Sequence, residues 1–374
     1  MRFREPLEQP TMLQATRWVG LVAVVLAPVS VAAESEPYLA VRLGLKCSSC
    51  HVNRTGGGMR NDFGAVFAGT NLPSRNTGFQ FQNRALNDWL KMGGNFRIAG
   101  TANLSDATPQ TALDINRANL YLEAKLIEGK LTLYVDETLA PGGANSREFF
   151  ALLEVPSITG YVKAGTFFLP SGLRILDDRE FIRRETGFTM LAPDQGVEFG
   201  LEPGPFSVVV ALTNGNSGAA ENNSGKRVTG TAAWVQRRFR LGASASRNTQ
   251  SGMNTDVVGG FGGLSFGRVS LLGEVDFVSG ASAEGADVDQ VVAYGEGNVL
   301  VRQGINAKIT YGFHDRNVDR AEDERIRARL GLEVFPFPYF QLSGFYVVRD
   351  DIPASLSLAL PQQDQVILEL HLFF

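Results

Sequence analysis

From Gly93 to Phe374 the chain repeats one signal: apolar and polar residues alternate, segment after segment, with a period of two. In "NLYLEAKL", Leu120, Leu122, Ala124 and Leu126 alternate with Asn119, Tyr121, Glu123 and Lys125. "VSLLGEVDF" sets Val269, Leu271, Val275 and Phe277 against mostly polar neighbours, Glu274 and Asp276 among them. "RIRARLGLEV" opposes Ile326, Ala328, Leu330, Leu332 and Val334 to Arg325, Arg327, Arg329 and Glu333. Successive side chains of a strand leave opposite faces, so each segment is a strand with one face suited to oil and one to water. Segments of about ten residues with this pattern suit a transmembrane β-barrel, whose closure satisfies every backbone N–H and C=O within lipid.

The connections sharpen the reading. Short turns ("EGK", "EPGP", "QRR", "FGR", "RQG", "PFPY") alternate with long polar loops ("LAPGGANS", "TNGNSGAAENNSGK", "NTQSGMNTD", "VSGASAEGADVD", "HDRNVDRAEDE", "RDDIPASLSLALPQQ"). Outer-membrane barrels carry short periplasmic turns and longer outside loops. Counting strands by this rule gives an even number, sixteen, and the last, "QVILELHLFF", ends on an aromatic residue as outer-membrane barrel strands do. A soluble all-β protein is the competing reading, and the loop asymmetry weighs against it. The expected fold is all-β: a 16-stranded antiparallel outer-membrane β-barrel over residues 89–374, preceded by a short α-helical module.

Residues 1–33 read as a signal peptide: Arg2, Arg4 and Arg17 precede the apolar run "VGLVAVVLAPVSVAA", and Val31 and Ala33 suit cleavage before Glu34. A membrane anchor is the alternative, but the run contains Pro28 and falls short of the roughly 20 residues that a helix needs to span. The mature chain is expected in the bacterial outer membrane. With 35 basic against 39 acidic side chains, it lacks the positive excess of a nucleic-acid binder.

Both cysteines of the chain fall in "LKCSSCHVN". Cys47-Ser48-Ser49-Cys50-His51 has the C-x-x-C-H spacing of covalent c-type haem attachment, in which two thioethers hold the porphyrin and the adjacent imidazole binds iron. A zinc site would need four ligands, and no second pair is present. A thioredoxin-like redox pair would need a βαβ context. A plain disulfide would leave His51 as coincidence. Gly56, Gly57 and Gly58 are expected to end the cysteine-bearing helix. Asn61 or Asp62 should cap a second helix, "FGAVFAG", whose Phe63, Val66 and Phe67 suit an apolar haem edge. The module, residues 34–88, is too small to bury much core alone, so the haem and the barrel should both support it.

A C-x-x-C-H module joined to a sixteen-strand porin resembles the fused monohaem cytochrome–porins of bacterial outer membranes, best known as iron oxidases. The likeness is concentrated in "VRLGLKCSSCHVN" and "RNDFGAVFAG". The chain departs from that pattern at Leu45 and Lys46, where an aromatic residue is usual, and in lacking a Pro-Leu-Thr element after His51. "AGTFFLPSGLRILDD" and "RETGFTMLAPDQGVEFG" are similar to the region around the inward-folding loop of phosphate-selective porins.

One covalent haem c is therefore expected, held by Cys47 and Cys50 with His51 as proximal ligand. Met59, eight residues on, is the first choice for the second axial ligand. His371, on the lumen face near the periplasmic mouth, is the alternative. Met92, at the base of the first strand, and His314, near the outer rim, are weaker candidates. The segment 169–193, with Asp177, Asp178, Arg179, Glu180, Arg183, Arg184 and Glu185, should fold into the lumen as a charged constriction. The function expected is electron transfer across the outer membrane between an extracellular donor or acceptor, such as Fe(II), and a periplasmic cytochrome. The alternative is a diffusion porin whose haem is a plug or redox sensor.

Overall fold

The structure is a computed structural model describing residues 36–78, 85–104, 110–221, 223–250, 252–281, 287–351 and 364–374. The signal-peptide expectation lies outside the described residues. Sixteen antiparallel strands, running from Leu90–Leu104 to Asp364–Phe373, form one closed barrel in which each strand pairs with its neighbours in the chain. Closure is made by the first and last strands, in register from Asn95↔Phe373 to Leu104↔Asp364. No row of backbone groups is left as an edge.

Short connections gather at one end of the cylinder, among them residues 128–130, 202–205, 237–238, 267–268 and 303–304. Long ones gather at the other, and the longest of the described ones is 168–193. "NTQSGMNTD" is not the long loop expected. The strands Phe239–Gln250 and Met253–Phe266 stay paired up to Gln250↔Met253. Where both faces of a hairpin are polar the period of two vanishes from the sequence, yet the backbone ladder continues into water.

The alternation sorts the wall as expected. Leu330 is 62% exposed on the outside, whereas Arg327 and Arg329 on either side of Ala328 are each 5% exposed within. Leu113, Leu241, Phe277, Ile309 and Leu368 extend the outer apolar surface, which suits lipid rather than water. The inward residues Glu123, Glu274, Asp276, Lys308, Arg327, Arg329 and Glu369 are buried. A sixteen-strand barrel is wide enough for an aqueous channel, so burial of its polar lining means that the lumen is filled.

Two layers fill it. At the short-turn end sit α1 (Pro37–Leu43), a single 3₁₀ turn (Cys47–Ser49) and α2 (Asp62–Thr70). Tyr38 and Val41 of α1 pack on Val257, Phe261, Leu272 and Tyr294 of the wall. Gly263 makes room there, since a Cβ at that position would lie 2.7 Å from the Val41 methyl. Polar ties run to the rim: Arg54 pairs with Glu154 at 2.5 Å, Lys46 donates to the Glu202 and Phe206 carbonyls, and Asp62 pairs with Lys91 at 2.6 Å. The second layer is the 168–193 connection, which carries the short helix α3 (Phe181–Arg184) and folds inward as expected. Asp177 accepts from Arg329 at 2.7 Å and pairs with Arg327 at 3.0 Å, and Glu180 pairs with Arg327.

Candidate functional site

The two thiols and the imidazole are presented by one tight turn. The N–H groups of Cys50 and His51 both donate to the Cys47 carbonyl at 3.1 Å, which fixes the three residues as a unit. The turn ends at Cys50, so the glycines do not terminate a helix there. They act later: Gly56, Gly57 and Gly58 all have positive φ, and a Cβ on Gly56 would approach the Cys47 Cβ to 3.0 Å. The chain thus folds back over the cysteine turn through conformations that side chains resist. Asn61 caps α2 as expected, accepting from the Gly64 N–H at 2.9 Å, and its amide donates to the Ser48 and Ser49 carbonyls. Asn53 is fully buried and holds the intervening loop to the wall through Glu148 at 2.8 Å and Lys163 at 3.2 Å.

Cys47, Cys50 and His51 line one cavity, open at its mouth, together with side chains of the wall and of the inward segment. The cysteines are unpaired and part-exposed. Phe67 of α2 lines the cavity, but Phe63 and Val66, expected beside it, face outward and are 52% and 56% exposed. With a helical turn of 3.6 residues, α2 can offer only one of these faces inward, and Ala65, Ala68 and Phe67 take it. Lys46, Arg60, Arg97, Arg174 and Arg240 also border the cavity, against the single carboxylate of Glu36. Arg97 and Arg240 come from the wall, whereas Arg174 comes from the inward segment and donates to the Gly56 and Leu169 carbonyls at 3.1 and 2.8 Å. Desolvation pushes the His51 pKa down to about 4, and Arg60 and Arg174 add to the effect. Its imidazole is therefore neutral at pH 7, with Nδ1 unpartnered.

The axial-ligand candidates separate. Met59 is buried among Val52, Tyr121, Tyr134 and Phe150, its N–H donating to the Tyr134 hydroxyl at 2.8 Å, and it does not line the cavity. Met92 pairs in register with Leu122 and shares its outward face. His314 sits toward the long-loop end of its strand, bonded to Gln290 at 2.8 Å. His371 lines the same cavity as His51. Among the described residues no three His, Cys, Asp or Glu side chains gather as a metal site. A porphyrin supplies the equatorial ligands itself and asks the protein only for axial ones.

The arginine ring was not foreseen. Arg97 and Arg240 read as inward-facing from the alternation, but nothing local tells a single lumen arginine that it faces a cysteine turn far away in the chain. Gln341 and Glu36 were equally hidden.

No protein-family model matches the chain, and no curated protein matches its sequence. Solved structures do match. An anion-selective porin from Comamonas acidovorans aligns at 14% identity with a TM-score of 0.59, covering 76% of this chain and 99% of that one. The OmpF–daunomycin complex from Salmonella typhi gives 12%, 0.60, 76% and 97% in the same order. The outer-membrane channel DcaP of Acinetobacter baumannii gives 13%, 0.57, 76% and 97%. At such identities the likeness establishes the fold alone. It lends nothing to a fused cytochrome or an iron oxidase. The chain has the closed sixteen-strand barrel of the porins, with its lumen filled and a thiol–imidazole turn facing a basic cavity.

Proposed function

We propose that this barrel sits in the outer membrane and conducts electrons through one c-type haem seated in the cavity. The observation that carries the reading is the lining: two free thiols and a neutral imidazole in one turn, in a cavity bordered by five cations from plug, wall and inward segment and one carboxylate. The residues suit a flat apolar group bearing two carboxylates. Cys47 and Cys50 would add their S–H bonds across its two vinyl groups, His51 would give iron a nitrogen, and the arginines would meet the propionates. The bound group would supply one-electron cycling of iron. The chain's own part is to hold that group still and to keep bulk water away, the work of a filled lumen. The short-turn end is periplasmic by the rule for such barrels. A periplasmic cytochrome would then meet the plug, while the inward segment, which reaches the cavity through Gly172, Arg174 and Leu176, would face the donor or acceptor outside, Fe(II) among the candidates.

The porin neighbours favour a second reading, a diffusion channel whose haem plugs or senses. Proteoliposomes separate the two. An impermeant external reductant should reduce the haem while conductance in planar bilayers stays low. Open-channel conductance with a haem that external reductant cannot reach would overturn the electron-transfer reading and leave the channel.

A further inference from the structure

The structure assigns the second axial position to His371 of the last strand rather than to Met59 of the plug. This assignment rests on the haem reading above and deepens it. Gln341 donates its side-chain amide Nε2 to the Glu36 carboxylate at 2.8 Å. While Glu36 is ionised it needs the NH₂ side of the Gln341 amide, so Oε1 is turned the other way, toward His371 Nδ1 at 2.8 Å. An oxygen there can only accept, which makes Nδ1 the protonated nitrogen and leaves the lone pair on Nε2. That Nε2 is buried and has no hydrogen-bond partner. A buried acceptor left without a donor is costly, so it calls for a ligand.

The ring is also fixed in place. Phe373 packs beside it with centroids 4.7 Å apart, and the Arg60 guanidinium lies 4.2 Å over Phe373. Metal-bound histidines generally donate their other N–H to a carbonyl or carboxylate oxygen, which is the role Gln341 fills. Met59 offers none of this, since its side chain is enclosed by Tyr121, Tyr134 and Phe150 outside the cavity. Two imidazoles from opposite parts of the chain, one in the plug and one in the wall, would make the haem a strap between them. The reduction potential would also fall below that of a His–Met pair, because a thioether ligand raises it.

Ferric spectra, EPR and potentiometry of the full-length protein, loaded by a cytochrome c maturation host, provide the test. The parent should be six-coordinate and low-spin with a bis-imidazole signature. His371→Ala should become high-spin and bind CO when reduced, and added imidazole should restore the low-spin form. Met59→Leu should leave spin state and potential unchanged. Unchanged low-spin spectra in His371→Ala, or loss of the low-spin form in Met59→Leu, would overturn the assignment. A parent protein with no covalent haem on a denaturing gel would sink the functional reading itself, a separate outcome. Heat-modifiable gel migration of each variant shows that the barrel has closed.

Discussion

The wall and the plug obey different rules, although one is packed inside the other. In the wall every strand pairs with its neighbour in the chain, the outer face is apolar and exposed, and the inner face is polar and buried. In the plug, residues 36–78, no apolar cluster is self-contained. Tyr38 and Val41 pack with Phe261 and Leu272, Val52 and Met59 with Tyr121 and Tyr134, Ala68 and Leu72 with Phe335 and Tyr339. Each cluster is completed by the barrel. A few dozen residues cannot bury a stable core by themselves, and this stretch never tries to. The wall is a fold, whereas the plug is a filling that borrows one.

Plug and wall should separate most clearly at the cysteine turn. Cys47→Ala and Cys50→Ala should weaken or abolish the haem stain on a denaturing gel, and His51→Ala should alter the optical spectrum. None should change heat-modifiable migration, because the wall's pairing involves no residue of the turn. Unaltered stain and spectra in all three would remove the haem. Loss of barrel migration would show that the wall depends on its filling.

The next largest effect is on conductance. Removing residues 34–88 should leave an inserted barrel that passes more current than the full chain. Glu123, Lys125 and Glu369 would then line a wetter space. The rise should be partial, since the inward segment 168–193 still crosses the lumen. Equal conductance with and without the plug would mean that the segment alone seals the barrel.

Alternation made the wall legible because its period is written locally, in residues that touch lipid or the lumen. Strand number, strand faces and the sorting of long and short connections to opposite ends could largely be read this way. It failed at "NTQSGMNTD", where serine, threonine and asparagine look alike on both faces. The cysteine turn was legible because its spacing is short and specific. What surrounds it was not. Arg97, Arg240, Gln341 and His371 lie far from Cys47 in the chain, and only barrel closure brings them to one cavity. Phe63 and Val66 misled because an apolar residue on a short helix does not say which side will be covered.

The inward segment offers a smaller break. Arg327 and Arg329 hold Asp177 and Glu180 in the buried interior, and removing one partner of a buried ion pair costs about 3–5 kcal/mol. Arg327→Ala should fall toward the lower end, because burial pushes the Glu180 carboxyl up to about 8, so near pH 7 it is already largely protonated and leaves little stranded charge. Arg329→Ala leaves Asp177 with Arg327 and should cost less again. Both variants should show noisier single-channel records at unchanged haem content. Quiet records and an unchanged thermal midpoint would mean that the segment is held by its apolar contacts, Leu173, Phe181 and Phe188, and not by charge.

The smallest effect lies where plug meets wall, at Glu36. Burial raises its pKa to about 7, and Glu333 adds to that, while Lys308 at 3.1 Å and the Gln341 amide pull it back. A carboxyl with a folded pKa above its unfolded value holds its proton more tightly when docked. Its contribution is therefore complete below about 4.5 and is lost as pH rises through about 7. His51 in the haem-free chain works the other way, weakening docking as pH falls from 6.5 toward about 4, and a haem ligand would not titrate at all. In the haem-loaded protein the plug should thus exchange its amide protons faster at pH 7.5 than at pH 5.5, after correction for intrinsic rates, while the wall does not change. Glu36→Gln cannot ionise, and its amide can still accept from Lys308, so the pH difference in the plug should largely disappear. If plug exchange in the parent is flat across that range, Glu36 titrates as it would in water. The seam between plug and wall would then be wetter than its hydrogen bonds imply.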